Sequence, residues 1–340
     1  MCTVLVEVVT VTETQRMTMV DPYDVVVIGG GVAGLSGALV LARARRSVLV
    51  IDAGEPRNAP AAHAHGFLTR DGIPPGELLK LARAEVRGYG VELRTGVAAG
   101  ARVTPDGGFV VELGGDGETV RARRLLVTTG LVDELPEIPG VRERWGRDVI
   151  HCPYCHGWEI RDQAVAVLGV GVLSVHQALM FRQWSADVTL FLHTQTKPTD
   201  EEWDQLSARG IRVVDGEVAG LVVTDDRLTG VRLASGQTFT AQAIIVAPRF
   251  TARSGVLAGL GVEAVEHPRG VGTQVPTTDP SGRSEVSGLW VAGNTADVVA
   301  NIAASVASGS AAAAAINADL IMADTATAVA ESRPAGLVRA

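Results

Sequence analysis

At 340 residues, 46% hydrophobic and 20% charged, the chain is long enough to bury two cores of ordinary domain size. A net charge of −8, with no block of lysine and arginine, argues against a nucleic-acid-binding surface. No unbroken apolar run approaches the roughly 20 residues that cross a bilayer, and Glu7 and Glu13 interrupt the stretch where a secretory signal would lie, so no membrane partner and a cytoplasmic location are expected.

Residues 1–20 alternate valine and threonine without an evident pairing partner, with Met17 and Met19 as alternative starts, and read as a disordered extension. The run Tyr23–Ile28 is expected to be a buried strand. Gly29-Gly30-Gly31-Val32-Ala33-Gly34 follows at once, then an amphipathic helix from about Leu35 to Arg45 and a second strand, Ser47 to Ile51, ending in Asp52. This is the dinucleotide-binding fingerprint in its required context. Gly29 makes the turn, Gly31 admits a pyrophosphate, and Gly34 lets helix and strand pack closely. Phosphate meets free N–H groups at the helix start, and Asp52 is placed to accept hydrogen bonds from ribose hydroxyls. The next segment, His63 to Gly72, reads as a loop whose His63 and His65 form a surface pair or assist proton transfer; as metal ligands they have no evident partners. Leu125 to Gly130, including Thr129, is a strand ending in a glycine turn.

Cys152-Pro-Tyr-Cys155-His156 is the most chemically specific segment, placing two thiols and an imidazole within five residues. Such a pair can close a small disulfide ring, and a thiolate there forms well below about 8.5, the pKa of a free cysteine. His156 can carry the proton that thiol–disulfide exchange must move, or it is a solvated loop histidine. Cys2 is the third and last cysteine, so a disulfide framework is not expected. A zinc site lacks a second cysteine pair, and His151 and His156 are too close in sequence to complete a tetrahedral set. The c-type haem signature has the same spacing, but the flanking sequence belongs to another architecture. A reversible redox dithiol is the reading that remains.

A second strand–glycine turn–helix unit follows: Ala164–Leu168, a turn containing Gly169 and Gly171, a helix from Val175 to Trp184, and a strand from Val188 to Leu192. Gly169 and Gly171 are a possible nicotinamide site. The loop after it, His193 to Glu202, has one lysine and three consecutive acids. A site for the 2′-phosphate of NADP would instead supply arginines. Binding of NAD(P)H is therefore doubted, the unit reading as a vestigial or NADH-type site. Trp158, Trp184 and Trp203 are expected to be packing residues. Gly288 to Asn294, containing Gly293, repeats the form of the 125–130 strand, and a small-residue helix runs from Ala300 to Asn317. The fold class expected is α/β, with two Rossmann-like domains, the second inserted in the first. The boundaries are 21–135 with 262–323 for the first, 136–261 for the second, and a frayed tail from 324 to 340.

Together these residues resemble the flavoprotein pyridine nucleotide–disulfide oxidoreductases of the low-molecular-weight thioredoxin reductase type, over roughly residues 22–320. The resemblance implies FAD as cofactor, a homodimer, and an FAD domain interrupted by an NADPH domain carrying the redox pair. It places Gly29, Gly31, Gly34 and Asp52 on the adenosine half of FAD, with Thr129, Gly130, Gly293 and Asn294 also at the cofactor. Cys155 is then the sulfur nearest the flavin, and Cys152 the one that exchanges with substrate. Two departures matter: His156 stands where the family has an acid, and Asn294 where it has an aspartate. With the missing arginines, they make the chain look more like the gliotoxin and holomycin dithiol oxidases, which close a disulfide in a small molecule and pass electrons through FAD to O2. The alternatives are an NAD(P)H-dependent reductase of a thioredoxin-like protein and a non-enzymatic flavin redox sensor.

Overall fold

The structure is a computed structural model describing residues 22–115 and 117–332, so the expected N-terminal extension and Cys2 lie outside the described residues. Tyr23–Ile28 and Val48–Asp52 pair in parallel, as the fingerprint requires. Between them runs α1, Val32–Arg43. It begins earlier than expected because Gly31, with φ −75° and ψ −177°, is its extended N-cap. Its first free N–H groups therefore sit directly on the glycine turn. The seven-stranded first sheet continues through Glu92–Thr95 on one edge. On the other side lie Thr119–Val127 and a meander of Phe109–Leu113 and Ala98–Val103. Helix α2, Pro75–Gly88, packs beside α1.

Both faces of this sheet are covered, and the first strand shows how. Val25 and Val27 join a core with α1, α2 and the C-terminal helix, while Val26 and Ile28 join a second core with Phe109, Val111, Val256 and Leu257. Alternate side chains point to opposite faces, so a strand buried on both sides reads as an unbroken apolar run.

The second unit is a parallel five-stranded sheet in the order Arg212–Val214, Val188–Phe191, Val165–Leu168, Ala243–Ile245, Val149–Ile150. Helix α3, Pro153–His156, is one turn formed by the redox motif itself. Helix α4, Ser174–Phe181, follows the second glycine turn, and α5, Asp200–Ala208, follows the next strand. The three consecutive acids are the first turn of α5. There Thr199 and Glu202 form a capping box, and negative charge is favourable at a helix N-terminus. These acids thus have a folding role that the sequence reading did not assign.

Two strands connect the units side by side: Leu131–Glu134 leaves the first and Arg249–Ala252 returns, antiparallel. The chain re-enters the first core before the expected residue 262, since Val256 and Leu257 are already packed there. The closing strand, Leu289–Val291, pairs in parallel with Leu125–Val127. Helix α6 spans Ile302–Ser332, well past the expected end at Asn317 and into the expected tail; residues 333–340 lie outside the described residues. Ion pairs tie the helix down as far as Asp324. Asp319 meets Arg124 and Arg283, and Asp324 meets Arg46 and Arg123. By length and composition α6 could cross a membrane, which a search for unbroken apolar runs passed over. Here Ala312, Ala313, Ile316 and Leu320 pack in the first core. Gly37 of α1 faces Gly309 of α6, and a Cβ on Gly309 would lie 2.0 Å from the Ala33 carbonyl oxygen.

Candidate active site

Two adjoining cavities run from the first glycine turn to the sulfur pair. The first, about 310 Å³, is lined by Gly29, Asp52, Thr128, Thr129, Gly130 and Arg253 among others. The second, about 370 Å³, is lined by Cys152, Cys155 and His156 together with largely apolar walls. Arg57 and Asn294 line both.

The glycine turn is built for close approach. Gly29 has φ +106°, and a Cβ there would lie 2.4 Å from the Thr128 carbonyl oxygen. At Gly34 a Cβ would lie 1.9 Å from the Gly29 oxygen, whereas at Gly31 it would meet nothing within 4 Å. The open side at Gly31 is therefore the side on which a ligand can approach the backbone. Asp52 is held by the Gly30 N–H at 3.0 Å and the Arg83 guanidinium at 2.8 Å, which fixes its carboxylate at the cavity wall. Gly130 N–H donates to Thr295 Oγ1 at 2.7 Å, and Thr129 Oγ1 donates to the Arg253 carbonyl at 2.6 Å. Gly293, with φ +65°, donates to Ser308 Oγ at 3.0 Å.

Arg57 joins the cavities. It grips Asp133 with two hydrogen bonds of 2.8 and 2.7 Å, a bidentate pairing with strong geometric preference. It also donates to Asn294 Oδ1 at 3.3 Å, and its guanidinium carbon lies 5.1 Å from the Phe250 ring centre. Neither Arg57 nor Asp133 was found in the sequence, because their pairing spans 76 positions with no local motif. The Asn294 amide in turn donates to the carbonyls of Asp297 and Ala300 at 3.0 and 2.9 Å. An aspartate has no N–H for these carbonyls, which explains asparagine here. Asn294→Asp is expected to lower stability by about 1–3 kcal/mol, the cost of stranding such groups, measurable by urea unfolding.

Cys152 and Cys155 form a disulfide, with Cα atoms 5.3 Å apart. Pro153 opens the turn and is buried, and Gly157 lies where a Cβ would contact the Trp184 ring at 2.8 Å. Both ring nitrogens of His156 are buried without a hydrogen-bond partner. Burial pushes its pKa down, only partly offset by Glu159, so the ring is held neutral and able to accept a proton. His151, weighed from the sequence only as a zinc ligand, is also pushed down by burial. Both histidines have lower pKa values folded than their ordinary 6.5, so the unfolded chain binds more protons. Stability is therefore full above about pH 6.5 and falls as pH drops below it. In thermal unfolding between pH 7.5 and 5.5, His156→Gln is expected to show a smaller loss than the parent; an identical loss would count against a buried neutral imidazole.

His65 lies against Asp71 at 3.3 Å and Glu159 at 3.5 Å, and His63 is exposed 6.2 Å away, ring centre to ring centre. Both line the sulfur-bearing cavity. Trp184 packs on Tyr154 and Phe181, as expected of a packing residue. Trp158 does not: it is 66% exposed, with the Arg161 guanidinium 4.2 Å from its ring centre. Trp203 is 40% exposed.

At the second glycine turn, a Cβ on Gly169 would lie 2.5 Å from the Leu192 oxygen, and Gly171 is open. Ser174 occupies the turn from within. Its hydroxyl donates to the Gly171 carbonyl at 2.8 Å and accepts the Gly171 N–H at 3.3 Å. His193 Nδ1 accepts the Val218 N–H at 3.0 Å, and Lys197 pairs with Asp215 at 3.5 Å.

Residues 23–313 match the family model described as pyridine nucleotide-disulphide oxidoreductase. The chain belongs to that family. The oxidoreductase is 30% identical to thioredoxin reductase tcpT of Claviceps purpurea over 304 residues, covering 86% of this chain and 92% of that protein. It is 30% identical to thioredoxin reductase sirT of Leptosphaeria maculans, covering 89% and 96%. Among solved structures, HlmI superposes with a TM-score of 0.86 at 48% identity, covering 92% of this chain and 96% of that one. The oxidoreductase is thus an FAD flavoenzyme of thioredoxin reductase type. The cradle fits FAD on this structure's own terms: an open Gly31 at a helix start, a fixed Asp52, and a cavity adjoining the one that holds the sulfur pair.

Proposed function

We propose that this oxidoreductase oxidises a small-molecule dithiol to a cyclic disulfide at Cys152–Cys155, with FAD as the electron carrier and O2 as the final acceptor. The observation that carries the reading is the disulfide in the wall of a largely apolar cavity that adjoins the dinucleotide cradle. FAD, when bound, accepts two electrons from the reduced sulfur pair and can pass them to oxygen. Gly29, Gly31, Gly34 and Asp52 would hold its adenosine end; Thr129, Gly130, Gly293, Asn294 and Arg57 would hold the part nearer the sulfurs.

The protein's own groups supply the rest. A substrate thiolate attacks Cys152, Cys155 leaves as thiolate, and the second substrate thiol resolves the mixed disulfide. His156 accepts a thiol proton inside the cavity. Per turnover one dithiol loses two electrons and two protons, and one O2 becomes one hydrogen peroxide. Two features speak against NADPH at the second glycine turn. Ser174 consumes the Gly171 N–H that a pyrophosphate would need, and the segment from His193 to Glu202 has no arginine. The printed names of tcpT and sirT favour the second reading, an NAD(P)H-dependent thioredoxin reductase. A homodimer is part of the proposal on family resemblance.

An oxygen electrode separates the two readings. Dithiothreitol alone is expected to drive oxygen uptake with peroxide formed one for one, and NADPH alone is expected to drive none. Rapid NADPH oxidation coupled to thioredoxin reduction, with no dithiol-driven uptake, would replace the first reading by the second.

A further inference from the structure

His151 immediately precedes Cys152 and follows the strand Val149–Ile150, at the C-terminal ends of the second parallel sheet, where such sheets place ligands. Its ring is held on three sides. Nδ1 lies 3.2 Å from the Val246 carbonyl oxygen, an acceptor, and Phe250 packs edge-on with ring centres 5.2 Å apart; Gln177 Nε2 of α4 lies 3.3 Å from the same Nδ1, a contact that is a hydrogen bond only when Nδ1 carries no proton. With Nδ1–H donating to Val246, Nε2 carries the free lone pair. Nε2 makes no hydrogen bond among the described residues, and His151 lines the cavity shared by Cys152, Cys155 and His156. The charged and titratable groups facing it are Arg57 from the loop before α2, Asp133 from the strand Leu131–Glu134, and His156 from α3.

We propose that His151 is a second acid–base residue of the sulfur pair, serving exchange at Cys152 while His156 serves Cys155. The proposal rests on the dithiol-oxidation reading. In the first exchange Nε2 takes the proton of a substrate thiol. The substrate sulfur bonds to Cys152, the Cys152–Cys155 bond breaks, and Cys155 leaves with the electron pair. In the second exchange the other substrate thiol passes its proton through His156 to the Cys155 thiolate, its sulfur attacks the bound substrate sulfur, the bond to Cys152 breaks, and protonated His151 returns its proton to the Cys152 thiolate. His151 borrows and returns one proton, His156 relays the other, and the substrate's two electrons and two protons end on the cysteine pair. A single imidazole would have to serve both sulfurs. Two of them, on either side of the Cys-x-x-Cys turn, divide the task.

Two measurements on the full-length holoprotein test this. In anaerobic mixing with dithiothreitol between about pH 5.5 and 9, His151→Ala is expected to slow flavin bleaching about 100-fold at neutral pH, the ordinary size of a general-base contribution. Added imidazole is expected to recover part of the rate, and FAD content to match the parent. Bleaching within twofold of the parent at every pH would overturn the proposal. The second measurement follows alkylation of Cys152 by iodoacetamide in Cys155→Ser protein, with the labelled peptide located by mass. Adding His151→Gln, which keeps a polar side chain if alanine does not fold, is expected to shift the pH profile of alkylation, whereas adding His156→Gln is not. An unshifted profile with His151→Gln overturns the proposal. Failure of dithiothreitol to bleach the parent flavin would end the dithiol-oxidation reading, and the alkylation profile would still decide whether His151 acts on Cys152.

Discussion

Cys155→Ser is expected to leave FAD bound and to abolish bleaching of the flavin by a dithiol, with a rate loss of at least about a thousandfold, or about 4 kcal/mol of barrier. The size follows from the chemistry: a serine oxygen cannot form the reversible bond through which the electrons are collected, so no slower version of the same step remains. FAD retention follows from the architecture. Gly29, Gly31, Gly34 and Asp52 belong to the first sheet, whereas the sulfur pair sits on a one-turn helix after the short edge strand Val149–Ile150 of the second. The variant should therefore be as yellow as the parent when purified and stay yellow under anaerobic dithiothreitol. Bleaching at the parent rate would show that electrons do not pass through Cys155.

Gly34→Val is expected to have the largest structural effect of any single change in the cradle. Its Cβ would sit 1.9 Å from the Gly29 oxygen and 2.6 Å from Thr128 Oγ1. Neither the Gly29 backbone nor the Thr128 hydroxyl, which donates to that same Gly29 oxygen at 2.8 Å, has room to yield. Opening the turn would push α1 off the sheet and part the Ala33–Gly309 contact with α6. A loss of about 3 kcal/mol or more, the upper end of overpacking, is expected together with loss of FAD. Gly31→Ala is the informative contrast. Its Cβ meets nothing in the protein, so the chain should fold with the parent's denaturation midpoint while retaining less FAD on dilution. Equal FAD retention in Gly31→Ala and the parent would mean that the pyrophosphate does not pass Gly31.

The first nucleotide unit was legible in the sequence because its signals are local. A buried apolar run, three glycines and an acid all lie within one strand–turn–helix–strand unit, and each structural reason acts over a few residues. The redox pair was legible for the same reason. What was missed is long-range or set by competition. Arg57 meets Asp133 and Asn294 across 76 and 237 positions. Asn294 could be seen as a departure from the family's aspartate, but not why: the reason is two backbone carbonyls that the fold brings to its amide. His151 was weighed only as a zinc ligand because nothing in sequence shows that Val246 and Phe250 will pack on its ring. The three acids at 200–202 were read against a phosphate site, whereas a helix start accounts for them. The end of α6 was misplaced because alanine repeats alone do not locate a terminus, and the arginines from three other segments that meet Asp319 and Asp324 are distant in sequence.

The most direct measurement is an anaerobic titration of the purified holoprotein with a small dithiol, following the yellow absorbance of oxidised flavin. The account predicts bleaching by the dithiol, return of colour on admitting oxygen with one peroxide per flavin, and no such response in Cys155→Ser. A flavin that ignores the dithiol but is bleached at once by NADPH would contradict it.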